Sequence, residues 1–203
     1  MKRKTLDLIF SVGGGLLAIL LLVLGLVLQS QANFADSYVT DQLTAQKITF
    51  TPEEGLTDEE KEADCLVDNA GETLSTGKQA ECYANEYIGL HLTHINDGKT
   101  YAETSNEARA KEAELEAAKE ADPNSDEVAK LEGEVAELQG KTESVFRGET
   151  LRGVLLTAYG FSVFGERAAQ AALVAFLAAA VLALATIAGL IHAFSKAGEE
   201  TVE

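Results

Sequence analysis

The sequence predicts an all-α protein, with two transmembrane helices flanking an extracytoplasmic helical domain and an antiparallel helical hairpin projecting from that domain. Two observations lead there. Apolar runs occupy 6–28 and 168–194, and no charged residue lies between Arg167 and Lys196. At about 1.5 Å per residue, a helix over 168–194 crosses the roughly 30 Å hydrocarbon core of a bilayer with residues to spare. The stretch between the runs carries three Thr-x-x-Glu/Gln capping boxes and, further on, apolar residues spaced three and four apart, both marks of helices.

Charge divides the chain in the same way. Of the 33 acidic residues all but Asp7, Glu199, Glu200 and Glu203 fall within 29–167, as do all of the 16 basic residues except Lys2, Arg3, Lys4 and Lys196. The middle therefore holds the whole net charge of −17. Nucleic acid and anionic lipid are bound by clustered Lys and Arg, so neither is an expected partner of this segment. Mutual repulsion keeps it soluble.

The first span, 6–28, follows a basic N-terminus, 1–5, and is interrupted only by Asp7. Basic residues at the entrance favour a cytoplasmic start. A competing reading is a cleaved signal peptide, since Ser30-Gln31-Ala32 has the small-x-small form of a cleavage site. The apolar core outruns the roughly 15 residues of a signal sequence, which favours a retained anchor. With both spans kept, the chain is a two-span cell-membrane protein whose termini, 1–5 and 195–203, are cytoplasmic. Cys65 and Cys82 then sit in an oxidising compartment, where pairing across their loop contributes about 3 kcal/mol. Two buried free thiols are the alternative.

Neither span has an ionisable residue in its middle, where transporters and proton-coupled proteins place one. The spans carry small residues instead: Ser11, Gly14, Gly15 and Ala18 in the first, and Ala168, Ala172, Ala175, Ala179 and Ala183 in the second. Such spacing lets two backbones approach closely, either between the two spans or between copies of the chain.

The stalk and helical core are expected over 29–102. Ala32, Ala35, Val39 and Leu43 continue the first helix, and 47–52 reads as an extended connection with Ile48 and Phe50 alternating before Pro52. The box at Thr57 and Glu60 opens a short helix bearing Cys65 and Leu66, which Asp68-Asn-Ala-Gly71 stops. Thr76 and Gln79 open the main core helix, with Tyr83, Tyr87, Leu90 and His94 on one stripe and Ala84, Ile88, His91 and Ile95 beside it. Asn96-Asp-Gly98 ends that helix.

The acidic hairpin is expected over 103–145. Thr100 and Glu103 form the third box, Asp122-Pro-Asn-Ser125 breaks the first arm, and the second arm restarts at Ser125. Val128, Leu131, Val135, Leu138, Thr142 and Val145 give the second arm a coiled-coil seam, facing Tyr101, Ala108 and Leu115. Four i,i+4 pairs, Glu107 with Lys111, Asp126 with Lys130, Glu137 with Lys141 and Glu143 with Arg147, add a few tenths of a kcal/mol each. A disordered acidic insert is the alternative, because apolar content here is thin. The segment 146–167 returns the chain to the membrane. Four glycines punctuate it, and Phe146, Leu151, Tyr159, Phe161 and Phe164 suit an interfacial aromatic belt.

Sites for chemistry are sparse. His91 and His94 could share a metal with Glu86 or Asp97, but two histidines without a second patterned pair are weak ground. Asp122, Asn124 and Asp126 imitate the start of a calcium loop that lacks its glycine and its closing glutamate, since Glu127 and Gly133 stand there. No phosphate loop, nucleophile elbow or C-x-x-C pair is present. No cofactor and no catalytic residue is expected.

Three blocks, Phe34-ADSYVTDQLTAQKITFTP, Leu74-STGKQAECYANEYIGLHL and Phe146-RGETLRGVLLTAYGFSVFG, resemble a family of small actinobacterial two-span membrane proteins of uncharacterised function. Some members carry the label aromatic ring-opening dioxygenase. Such chemistry needs two histidines and a carboxylate on one iron, and this chain offers only His91 and His94 together. The two cysteines and the insert depart from the family pattern. The expected function is that of a non-enzymatic envelope protein whose extracytoplasmic domain binds another protein or senses an envelope condition. A homo-oligomeric assembly or pore is the first alternative, and a metal-dependent dioxygenase or its accessory subunit the second.

Overall fold

The computed structural model describes residues 3–195; Met1, Lys2 and the tail 196–203, with Lys196 and the glutamates of the expected cytoplasmic tail, lie outside the described residues. Among the described residues the regular elements are helical, as the capping boxes and periodicities require. The sole strand-like contact among them is an isolated antiparallel bridge between Thr49 and Thr73. The described residues form two compact units, one from 3–38 with 162–195 and the other from 39–161.

The first unit is built from α1 (Arg3–Ala45) and α6 (Asp126–Ala193). Its helices meet through small residues in strict antiparallel register. A Cβ on Gly14 would stand 3.1 Å from Thr186 Oγ1, one on Gly25 2.6 Å from the Phe176 ring, and one on Gly165 2.7 Å from Ala35 Cβ. Ser11 packs on Gly189, and Asp7 bonds His192. Each step up α1 is matched by a step down α6, so Asp7 and His192 lie at the same end of the pair.

Ala18, Ala172, Ala175 and Ala179 are buried as the spacing predicts, and a Cβ on Gly15 would touch Thr186 Cγ2 at 3.4 Å. Ala168 is half-buried and Ala183 is exposed, which corrects the alanine stripe. Steps of three and four must alternate to stay on one face of a 3.6-residue turn, and two successive steps of four carry Ala183 off it. The face continues instead through Thr186, Gly189 and the buried Ala193.

The second unit has a core of Val39 and Leu43 from the end of α1, Phe50, Leu66 from α2 (Asp64–Asp68), Leu74, Ala80 and Cys82 from α3 (Gly77–Cys82), Ala84, Ile88 and Leu155. Phe50 and Leu74 are held there by backbone bonds from Phe50 to the Glu72 carbonyl and from Leu74 to that of Ile48. α3 runs into a π-helix, Tyr83–Gly89, and then into α4 (Leu90–Thr93). The helix ends at Thr93, because Ile95 is extended (φ −95°, ψ 121°), and a 3-10 turn follows over Asn96–Gly98, with positive φ of 49° and 57° at Asn96 and Asp97.

Lys99 and the Thr100 box lead into α5 (Tyr101–Ala121), which packs on the first part of α6. Leu115 is buried among Val128, Leu131 and Val135, and Leu138 and Val145 are buried further along α6. Lys119 pairs with Glu132, Lys111 with Glu134, and Gln139 Nε2 donates to Glu112 at 2.6 Å. Tyr101 is exposed and buried Thr104 takes its expected place, since Asn96 Nδ2 donates to the Thr104 hydroxyl. Of the four expected i,i+4 pairs, Glu137 with Lys141 and Glu143 with Arg147 form. Glu107 is taken by Lys99 from the preceding segment, and Lys130 pairs with Glu134 one turn further along α6 in place of Asp126.

α6 passes through 146–167 without interruption, so the four glycines there punctuate nothing. A continuous helix also spreads the expected aromatic face around its circumference. Leu155 is buried and Tyr159 half-buried, whereas Phe146, Leu151, Phe161 and Phe164 are exposed.

Candidate functional site

The most elaborated region of the second unit surrounds the π-helix. Cys65 on α2 and Cys82 on α3 are joined by a disulfide, with Cα atoms 6.1 Å apart, immediately before Tyr83. The Thr76 hydroxyl accepts from the Gln79 backbone and the Gln79 side chain accepts from that of Thr76, which fixes where α3 starts. Gln79 Nε2 donates onward to Asn69 Oδ1 and Glu72 Oε2, tying the end of α2 to the same point. A π-turn is rare and concentrates at functional sites. Here it carries a column of rings: Phe50 lies edge-on to Tyr83 at 5.3 Å, Tyr83 stacks on Tyr87 at 4.7 Å, and Tyr87 meets His91 at 4.4 Å.

Two carboxylates face the histidines at the exposed end of that column. Glu60 begins a 3-10 turn, Glu60–Glu62, and is 4% exposed. Its Oε2 accepts from the Thr57 backbone at 2.7 Å while its own N–H donates to the Thr57 hydroxyl, so the expected capping box forms on a tighter turn than an α-helix. Hydrogen bonding from the Thr57 backbone, aided by its hydroxyl and by His91, holds the Glu60 carboxyl below its ordinary range, against the opposing effect of burial. His91 Nε2 stands 3.7 Å from Glu60 Oε1, and His94 Nε2 donates to Glu59 Oε2 at 3.1 Å.

These pairings answer the metal question. His91 and His94 engage different carboxylates, and neither Glu86 nor Asp97 joins them. Among the described residues no three His, Cys, Asp or Glu side chains converge as a metal ion requires. The geometry does not fit the iron site that a ring-opening dioxygenase needs. Asp122 is engaged in a local turn, with its Oδ1 accepting from the Asn124 backbone.

A polar cleft of about 380 Å³ lies beside the disulfide, bordered by Asn69, Lys78, Glu81, Asn85 and Glu86. Several of its polar groups are satisfied by protein. Lys78 Nζ donates to Glu81 and to the Tyr159 hydroxyl and lies over the Tyr159 ring, and Arg152 donates to Asn85 Oδ1. Sequence reasoning found the disulfide and the boxes but missed the π-turn, the ring column and the two His–Glu contacts. Only the four-residue spacing of Tyr83, Tyr87 and His91 signalled the column.

Fold and site together define an all-α protein with two helices long and apolar enough to cross a membrane, by length and composition. No protein family, no curated protein and no solved structure matches the chain.

Proposed function

We propose that the chain is a non-enzymatic integral membrane protein of the cell envelope, of the two-span kind that its three sequence blocks resemble, whose second unit lies outside the membrane and binds a protein partner or responds to an envelope condition. One observation carries the membrane part. The apolar windows of α1 and α6 reach a mean hydropathy of 2.6, yet only 17% and 11% of them is buried. A core helix of a soluble protein buries such a window, whereas a span leaves it to lipid. Leu16, Leu20, Val23, Leu177, Val181 and Leu184 all face outward while the small residues face inward.

The disulfide supports an extracytoplasmic second unit, since such bonds persist in oxidising compartments. The acidic hairpin of α5 with the start of α6 is the proposed contact surface. At its base the exposed rings of Tyr101 and Phe146 meet at 5.4 Å, beside a groove of about 280 Å³ that also includes Arg109 and Glu143. Tyr and Arg are the residue types on which interface energy concentrates. Cross-linking of the full chain in native membranes tests this reading, and deletion of 103–142 abolishes the cross-link if the hairpin makes the contact.

The oligomeric alternative has less surface to use, because Ala172, Ala175 and Ala179 are already covered within the chain. A closed homo-oligomer in detergent would favour it, and a monomer or a complex with an unrelated protein would exclude it.

A further inference from the structure

A pocket of about 190 Å³ opens between α1 and α6, with Asp7, Ser11 and Gly14 on one helix and Thr186 and Gly189 on the other, and with Phe10, Leu182 and Ala185 as its apolar walls. Ser11 is 4% exposed. His192 donates from Nδ1 to Asp7 Oδ2 at 2.8 Å, which holds the carboxylate at the rim and commits only one of its oxygens to that bond.

Thr186 is the unusual member. Its Oγ1 is buried and has no hydrogen-bond partner among the described residues. Five other hydroxyls on these same two helices behave differently. Ser37, Thr44, Thr142, Ser144 and Thr157 each donate to the carbonyl four residues earlier, at 2.7–2.9 Å. Thr186 has the same option within its own helix and does not take it. Its oxygen lies beside Gly14, 3.1 Å from where a Cβ would stand. Gly189 leaves similar room for the Ser11 hydroxyl. Two glycines thus admit two hydroxyls to a pocket that already has a carboxylate at its edge.

The polar part of that lining selects its ligand. Carboxylate and hydroxyl oxygens, with no thiolate and with the imidazole nitrogen nearest Asp7 spent as a donor, suit a hard cation. Calcium takes six to eight oxygens and magnesium a near-ideal octahedron, commonly with more than one carboxylate, whereas a single Asp7 balances one positive charge. The volume exceeds the roughly 30 Å³ share of one water, so an ion can keep part of its hydration.

We propose that this pocket binds a partly hydrated alkali-metal cation between the two helices, with Asp7, Ser11 and Thr186 as oxygen ligands and His192 as the residue that positions Asp7. The site concerns the first unit alone and stands whether or not the second unit binds a partner.

Melting of the full chain in detergent tests it, in sodium, potassium and choline chloride at equal ionic strength. Choline matches the screening of the alkali salts but is too large and too soft for the pocket. The expected result is a melting temperature about 2–4 °C higher in an alkali salt than in choline. That difference is expected to vanish in Asp7→Asn and Thr186→Val and to persist in Thr186→Ser. Equal melting in all three salts means that the pocket holds water only and overturns the proposal. So does a salt difference of unchanged size in both Asp7→Asn and Thr186→Val. Should those variants fail to fold, sodium-23 relaxation decides on the wild-type chain: broadening that added potassium reverses supports the site, and its absence overturns it.

Discussion

His91 donates from Nδ1 to the carbonyl of Tyr87 at 2.7 Å, while its Nε2 lies 3.7 Å from Glu60 Oε1. A carbonyl can only accept, so Nδ1 carries a proton in this bond. At that distance the contact is electrostatic, not a hydrogen bond. Glu60 is held mainly by Thr57, and the two groups respond to different changes.

Stability at acid pH depends on that hold. The Glu60 carboxyl titrates below its ordinary value of 4.5 when folded, chiefly because the Thr57 backbone N–H donates to it. A depressed folded value means stability that is present above 4.5 and is lost as pH falls through the lower folded value. Glu60→Gln is expected to destabilise the second unit by about 1–2 kcal/mol at neutral pH and to flatten the acid limb of its stability profile. Denaturant melts at pH 7, 5, 4 and 3 measure both effects.

Reducing the Cys65–Cys82 bond, or replacing both residues by Ser, is expected to cost about 2–4 kcal/mol, because it frees the loop between α2 and α3. Hydrogen exchange is the local readout. Protection should fall first across 64–93, where the π-helix adjoins the bond, while the α5–α6 seam keeps its own.

Leu115 is the one large apolar residue that α5 places in the seam with Val128, Leu131 and Val135. Leu115→Ala is expected to cost about 2–4 kcal/mol of local stability. Limited proteolysis should then cut α5 at rates at least tenfold above wild type. Removing the exposed Lys119–Glu132 pair should change the rate little.

The glycines of α6 divide into two groups with opposite expected signs. Gly133, Gly140, Gly153 and Gly160 have nothing within 4 Å of where a Cβ would stand, so each change to Ala should stabilise by about 0.5–1 kcal/mol. A Cβ on Gly148 would lie 2.6 Å from Leu92 Cδ2, and one on Gly165 2.7 Å from Ala35 Cβ. Gly165→Ala should lower the melting temperature, and Gly148→Ala should do so less, because the tip of Leu92 can move. Melting of the six single variants gives the comparison.

That same division explains what could be read from the sequence. Caps are local, and all three boxes, at Thr57, Thr76 and Thr100, form as the residue types require. Seams are periodic, and Val128, Leu131, Val135 and Leu138 are buried as spaced. A glycine inside an apolar helix is ambiguous, since a break, a close approach and an open position share one letter, and so 146–167 reads as punctuated although α6 is continuous. The π-turn is invisible to a 3.6-residue period. Glu59 and Glu60 reach the histidines only through the fold, across more than 30 positions of chain.

The paired register of α1 and α6 also constrains how the chain can change. Inserting one residue near the middle of either helix would turn everything beyond it by about 100°. The insertion would set Gly14 or Gly25 against a bulky neighbour and part Asp7 from His192. A compensating insertion in the opposite helix, at the matching level, would restore every contact. Length variation in the two helices is therefore expected to be concerted, with each change in one accompanied by its counterpart in the other, and a grafted helix must be exchanged together with its mate.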